Sequence, residues 1–210
     1  MKKLIVFIFI LIAFSSYSQN PLQSLLKTYF RTHPFDMKFS SFVTSLQKDP
    51  WFTTEEYYRR TDSNFFFLSG TYKNFNPFRF TPKELRLVVA EEEIIHADSL
   101  HTHDTIINIQ LMAITDTGLG NRKPVEKEFH RFNNNQSDRF SSKTHVDSYD
   151  EEGKMAAEIY NYFIFPLSIA PVTIAWGALP ESRNYAFTIT IRFKLNGNNA
   201  DFILAPNEQF

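Results

Sequence analysis

The sequence contains no cysteine among its 210 residues. Disulfide bonds, thiolate metal ligands and a cysteine nucleophile are therefore excluded, and we expect no lipid attachment to an N-terminal cysteine. A chain of this length can bury a sizeable core without cross-links. Its stability must come from packing, for which the 23 phenylalanines provide apolar surface.

Glycine is scarce, with 6 residues. The sequence contains none of three glycine-dependent motifs: the phosphate-binding loop, the dinucleotide-binding fingerprint and the serine-nucleophile elbow. The sequence therefore does not favour nucleotide chemistry or serine hydrolysis.

An excess of one charge is also lacking, because the chain has 22 basic and 23 acidic residues, which give a formal charge of −1. This balance gives no electrostatic reason to expect a nucleic-acid partner.

The first eighteen residues have the three parts of an export signal. Lys2 and Lys3 precede an uninterrupted apolar run, 4–14, and Ser16 and Ser18 put small residues before a cleavage site. The run is shorter than the ~20 residues that span a bilayer. We predict a cleaved signal peptide over 1–18 and an exported, non-membrane-spanning mature chain in the periplasm, at the cell surface or outside the cell. Loss of the two lysines changes the formal charge from −1 to −3.

The clearest structural signal is an alternation of apolar and polar residues over 84–113. Period-two alternation predicts half-buried strands, here two long strands joined by a polar loop. Helical spacing predicts helices over 21–30, from Phe39 to Leu46, and from Pro124 onward. We predict an α+β fold in one domain, 19–210, in which a largely antiparallel sheet of six to eight strands packs on two or three short helices.

A weak internal similarity suggests two α-β-β-β halves, 19–118 and 119–210. The first half contains the series Phe39, Phe42, Asp49 and Phe52. A similar series occurs 88 to 90 residues later, as Phe129, Phe132, Asp138 and Phe140. Residues 51–62 are expected to be a polar, aromatic connection within the first half.

The loop between the two long strands is rich in possible metal ligands. His101 and His103 share one face of an extended segment, and His96 or Asp98 could supply a third ligand. Imidazole and carboxylate suit zinc or a similar divalent metal, and three protein ligands leave an open catalytic position. The spacing matches no established zinc motif, and an ordinary solvated turn explains the same residues.

Aromatic residues in 70–80 alternate with amide and basic side chains. Tyr72, Phe75 and Phe78 surround Asn74, and together with Trp51 they could stack against sugar rings or a partner's apolar surface. The competing interpretation is that most of these rings fill the core.

The leading hypothesis is an exported, non-enzymatic binding or interaction module of the bacterial envelope. It requires no cofactor, and its partner would be a glycan, a peptide or an envelope protein. One alternative is a metal-dependent hydrolase that uses the histidine-rich loop. A second alternative is a small outer-membrane β-barrel, suggested by the uncharged run 162–179 and the terminal Phe210.

Overall fold

The computed structural model describes residues 21–32, 34, 37–59, 66–95, 103–164, 170–179, 182, 184–196 and 199–203. The predicted signal peptide, 1–18, lies outside these ranges and remains a prediction. Among the described helices, none is both long enough and apolar enough to cross a bilayer.

Three short α-helices are described: α1 (Pro21–Tyr29), α2 (Phe39–Lys48) and α3 (Arg122–Gln136). In α2 the residues Phe39, Phe42, Val43 and Leu46 are buried, which is the one-sided spacing that places an amphipathic helix on a core. In α3 the buried apolar residues are Val125, Phe129 and Phe132. Two 3-10 turns, Leu119–Asn121 and Ser137–Arg139, flank α3.

The rest of the described chain is mostly strand. The strands are β1 (Phe52–Arg59), β2 (Phe66–Tyr72), β3 (Glu84–Ile95), β4 (His103–Thr117), β5 (Ser142–Tyr149), β6 (Met155–Phe163), β7 (Val172–Ala178), β8 (Asn184–Asn196) and β9 (Asn199–Ile203). Eight of them form one antiparallel sheet in the spatial order β1-β2-β3-β4-β8-β7-β6-β5, and the short β9 pairs with β8 beside it. The antiparallel sheet is as predicted, but the described helices are few and short, so the chain is mainly sheet rather than a balanced α+β fold.

The long strand pair predicted from alternation is β3 and β4. They pair antiparallel with Leu87 opposite Leu111, and Leu85, Leu87 and Val89 are buried. Arg86 and its alternate neighbours face the other side of the sheet and are half-buried. The alternation therefore identified both the pairing and the face that enters the core.

The described part of the first half has two helices, α1 and α2, followed by four strands, and that of the second half has α3 followed by five. The prediction of one helix and three strands in each half was therefore wrong in its counts. Strands β1 to β4 lie in chain order on one side, β5 to β8 on the other, and β4 pairs antiparallel with β8 at the junction. The additional strand in the first half is β1, which was predicted as a connection. Its only buried residue is Phe52, so backbone pairing with β2 rather than an apolar pattern defines it. Whether the halves are a true repeat remains a prediction.

The core is centred on the aromatic ring of Phe187 in β8. Ring centroids of Phe78, Phe129 and Phe132 lie 5.4, 6.5 and 6.2 Å from it. Tyr29 of α1 contacts Phe78 and Phe132 at 5.8 and 5.3 Å. These contacts fix α1, α3 and the 76–80 loop over the same part of the sheet, and this junction also forms the candidate site.

Candidate functional site

Two residues of the predicted aromatic site belong to the core. Tyr72 and Phe78 are each 7% exposed. Burial is the main reason why the pKa of the Tyr72 hydroxyl is raised, and the nearby carboxylate of Asp49 raises it further. Their rings therefore stabilise the fold, as the competing interpretation of the sequence had it.

The remaining members of that patch are at least partly accessible. Trp51 is 39% exposed, Phe75 is half-buried, and Asn74 is exposed with a positive φ of 59°. The guanidinium of Arg31 lies 3.9 Å above the Trp51 ring and 5.9 Å from that of Phe75. One face of the tryptophan is therefore already covered, and ligand binding by Trp51, Asn74 and Phe75 remains a prediction.

The histidine-rich loop lies mostly outside the described residues. This applies to His96, Asp98 and His101, whereas His103 begins β4 opposite Ile95. Metal binding by these residues remains a prediction.

A pocket of about 720 Å³ lies between the N-terminal half of α3 and the segment that precedes β3. Phe80, Pro124 and Gly120 provide apolar or side-chain-free surface, and charged groups provide most of the remainder. The lining residues are Arg79, Phe80, Gly120, Lys123, Pro124, Lys127, Glu128 and Arg131.

The wall that carries Arg79 and Phe80 is a fixed turn. The side chain of Asn76 accepts a hydrogen bond from the backbone N–H of Phe78 (3.0 Å) and donates one to the carbonyl of Phe80 (2.8 Å). The Phe78 and Phe80 rings stack at 5.9 Å with an interplanar angle of 25°. Because Phe78 is itself fixed in the core, Phe80 is held in place at the pocket.

The acidic residue of the pocket is already neutralised. Glu128 is 2% exposed, and its carboxylate accepts hydrogen bonds from the guanidinium of Arg131. Nη2 of Arg131, which donates to Glu128 Oε1, also donates to the Tyr29 hydroxyl at 3.4 Å. The backbone N–H of Arg79 approaches Glu128 Oε2 at 3.5 Å. This internal pair connects α3 to α1 and has no net charge of its own.

Three other cations line the pocket without such compensation. The side chains of Arg79, Lys123 and Lys127 are exposed. Within the described part of the chain, no carboxylate lies within ion-pairing distance of any of them. The pocket therefore combines a net positive charge with an aromatic wall, a combination that favours an anionic ligand with apolar faces.

A second cleft, of about 760 Å³, lies beside the first along α3 and shares Lys123, Lys127 and Arg131 with it. His130 and Glu158 are also among its lining residues. Glu158 belongs to a group with His145 and Asp147 whose possible ligand atoms all lie within 4.8 Å of one another. Among the described residues, this is the group that could hold a metal ion.

Sequence reasoning missed both sites for the same physical reason. Lys123 and Lys127 have the i, i+4 spacing of one helix face, and His145 and Asp147 have the i, i+2 spacing of one strand face. Those local signals could have been noticed. The two lysines lie beside Arg79, and His145 and Asp147 lie beside Glu158, only in the folded chain. No local spacing in the sequence specifies these contacts.

Comparison of this chain with protein-family models, with curated proteins and with solved structures found no match.

Proposed function

We propose that this chain is an exported binding module of the bacterial envelope and that it binds an acidic glycan in the pocket between α3 and the 76–80 turn. The observation that carries the proposal is the set of three cations, Arg79, Lys123 and Lys127, beside the ring of Phe80. The predicted signal peptide over 1–18 supports action in the periplasm or at the cell surface.

The charge of the pocket supports a ligand with carboxylate groups. Arg79 can form two parallel hydrogen bonds with a carboxylate, and Lys123 and Lys127 can act as point charges for a second one. An uncharged partner would leave these cations unused, while the mature chain as a whole is acidic. Positive potential is therefore a local property of this surface.

The shape and the apolar wall support a sugar over a flexible acidic peptide. The faces of pyranose rings carry C–H groups that pack on aromatic and proline rings, and Phe80 and Pro124 provide such surfaces. The volume of about 720 Å³ is within the ~300–1,000 Å³ typical of small-molecule sites. It accommodates a short oligosaccharide with its carboxylates near the cations.

The test compares two double variants that remove the same charge. Lys123→Gln/Lys127→Gln removes two cations from the pocket, and Lys48→Gln/Lys73→Gln removes two exposed cations elsewhere. Binding of a galacturonic-acid tetramer would be measured by calorimetry on residues 19–210. We expect the pocket variant to bind roughly tenfold more weakly, since 1.4 kcal/mol corresponds to a factor of ten. The control should change binding by less than about twofold, because distant charges are screened by salt.

Equal weakening in both variants would show that the protein attracts polyanions through its general charge. No weakening in either would show that the ligand binds elsewhere. Either result contradicts the assignment of the pocket.

A further inference from the structure

The sheet register brings an imidazole and two carboxylates together beside α3. His145 and Asp147 are two residues apart in the edge strand β5 and share one face. Asp147 pairs with Glu158 of β6, and His145 pairs with Tyr160. Three metal-ligating side chains thus meet on the face of the sheet that carries the helices.

From this arrangement we propose that His145, Asp147 and Glu158, with His130 as a fourth group, form a zinc-type divalent metal site. The cleft beside this site shares Lys123, Lys127 and Arg131 with the glycan pocket, but none of the four proposed ligands lines that pocket. The metal proposal therefore does not depend on the proposed function.

The interatomic distances suit coordination of one small ion. His145 Nε2 lies 2.8 Å from Asp147 Oδ1 and 3.2 Å from Glu158 Oε1. Ligand atoms at about 2.0–2.1 Å from a tetrahedral zinc ion are separated from one another by about 3.3 Å. The three groups therefore need to move little to surround a metal. Because imidazole nitrogen is among the ligands, zinc is favoured over magnesium or calcium, which prefer oxygen alone.

Neighbouring side chains fix the orientation of two ligands. The indole N–H of Trp176 donates to Glu158 Oε2 at 2.7 Å, while Oε1 is the oxygen that faces His145. The His145 ring stacks on Tyr160 with centroids 4.2 Å apart, and Tyr160 stacks on Phe129 at 5.3 Å. Outer groups that orient ligands in this way are characteristic of metal sites.

The carboxylates of the group have no direct basic partner other than histidine among the described residues, although Lys123, Lys127 and Arg131 line the same cleft as Glu158. In the described part of the chain, no lysine or arginine forms an ion pair with Asp147 or Glu158, and their ion-pair partners are histidines. Glu158 is 5% exposed, and buried carboxylates are normally paired with a cation or coordinate a metal. The two positive charges of a divalent ion would balance the negative charges of both carboxylates, and the imidazoles would bind as neutral ligands.

The fourth group comes from the helix. His130 Nε2 lies 3.6 Å from Glu158 Oε2, and its side chain is 53% exposed, which leaves it free to change rotamer. Both His130 and Glu158 line the cleft of about 760 Å³. A metal held here would be reached through that cleft.

The experiment is a calorimetric titration of metal-free residues 19–210 with Zn²⁺, with Mg²⁺ as the comparison. The variants His145→Asn and Asp147→Asn test the site, since neither residue is fully buried and each keeps a polar side chain. Circular dichroism and thermal unfolding without metal establish that they are folded. The matched control is His101→Ala/His103→Ala, called the loop variant because it removes two histidines of the predicted histidine-rich loop; His103 is the first residue of β4.

We expect one zinc ion per chain, binding about tenfold or more weaker in His145→Asn and in Asp147→Asn, because loss of one ligand costs at least this much. The loop variant should bind as the parent does, and Mg²⁺ should not compete. Absence of zinc binding would overturn the proposal. So would unchanged binding in folded His145→Asn and Asp147→Asn proteins, and loss of binding in the loop variant alone would transfer the site to the loop.

Discussion

Trp176 and Glu158 are joined by a hydrogen bond of 2.7 Å from the indole N–H to the carboxylate. The two residues are directly paired across β6 and β7, and they are 1% and 5% exposed. Burying an ionised carboxylate is costly unless donors surround it. This bond therefore both stabilises the fold and fixes the direction of the oxygen that faces His145.

Trp176→Phe should destabilise the protein by about 2–4 kcal/mol, because it leaves a buried carboxylate oxygen without its donor and removes core volume. Urea unfolding followed by circular dichroism measures this change. The control is Trp51→Phe, whose ring is 39% exposed and which should cost less than about 1 kcal/mol. Similar losses in the two variants would argue against the importance of the Glu158 bond.

Gly70→Ala should destabilise the fold by about 2–4 kcal/mol, through overpacking against an edge strand. A Cβ on Gly70 would lie 2.4 Å from the carbonyl oxygen of Thr53 and 2.5 Å from the Phe52 ring. The matched substitution Gly120→Ala meets nothing within 4 Å and should be nearly neutral. Thermal unfolding of both variants is the measurement, and equal melting temperatures would contradict the close approach of β1 to β2.

Arg131→Met should cost about 3–5 kcal/mol, because it leaves the buried charge of Glu128 unpaired. The double variant Glu128→Leu/Arg131→Met removes both charges and should recover most of that loss. Arg122→Met, which breaks the more exposed pair with Glu126 on the same helix, should cost only about 0.5 kcal/mol. The free energy of unfolding of each variant is measured with denaturant. If the double variant is as unstable as Arg131→Met, the unpaired charge of Glu128 is not the cause of the loss.

Asp49→Asn tests the pH dependence of stability. Burial alone would raise the pKa of Asp49, but hydrogen bonds from Arg31 and the Trp51 N–H, with the charge of Arg31, lower it. Its folded-state pKa is thus below the unfolded value of about 3.9. The carboxylate therefore contributes stability above about pH 4, and this contribution is lost as the pH falls through the lower folded value.

We therefore expect Asp49→Asn to be less stable than the parent at pH 7, with the difference shrinking below about pH 4. Urea unfolding at pH 7, 5 and 3 measures it. Asp138→Asn, at an exposed position, is the control and should follow the parent at each pH. A difference for Asp49→Asn that is constant from pH 7 to pH 3 would rule out the carboxylate as its cause.

Local patterns in the sequence predicted the elements of the fold better than their arrangement. The alternation around Leu87 and Leu111 identified β3 and β4, because a half-buried strand shows its burial pattern directly. The same logic failed for β1, where Phe52 alone is buried and the backbone does the pairing. The junction of β4 with β8 depends on contacts some 80 residues apart along the chain, as between Leu111 and Ile189.

The candidate sites show the same limit. The aromatic residues near Tyr72 were visible in the sequence, but their spacing does not say which rings face the core. Arg79 was part of that stretch, but only the fold brings it to the same pocket as Lys127 of α3.

The most direct test of the proposed function is a titration of residues 19–210 with three ligands of similar size. These are a galacturonic-acid tetramer, the neutral galactose tetramer and a tetra-aspartate peptide. We expect saturable one-to-one binding of the acidic sugar that weakens as salt is raised, and much weaker binding of the other two. Equal binding of the neutral sugar, or preference for the peptide, would contradict it.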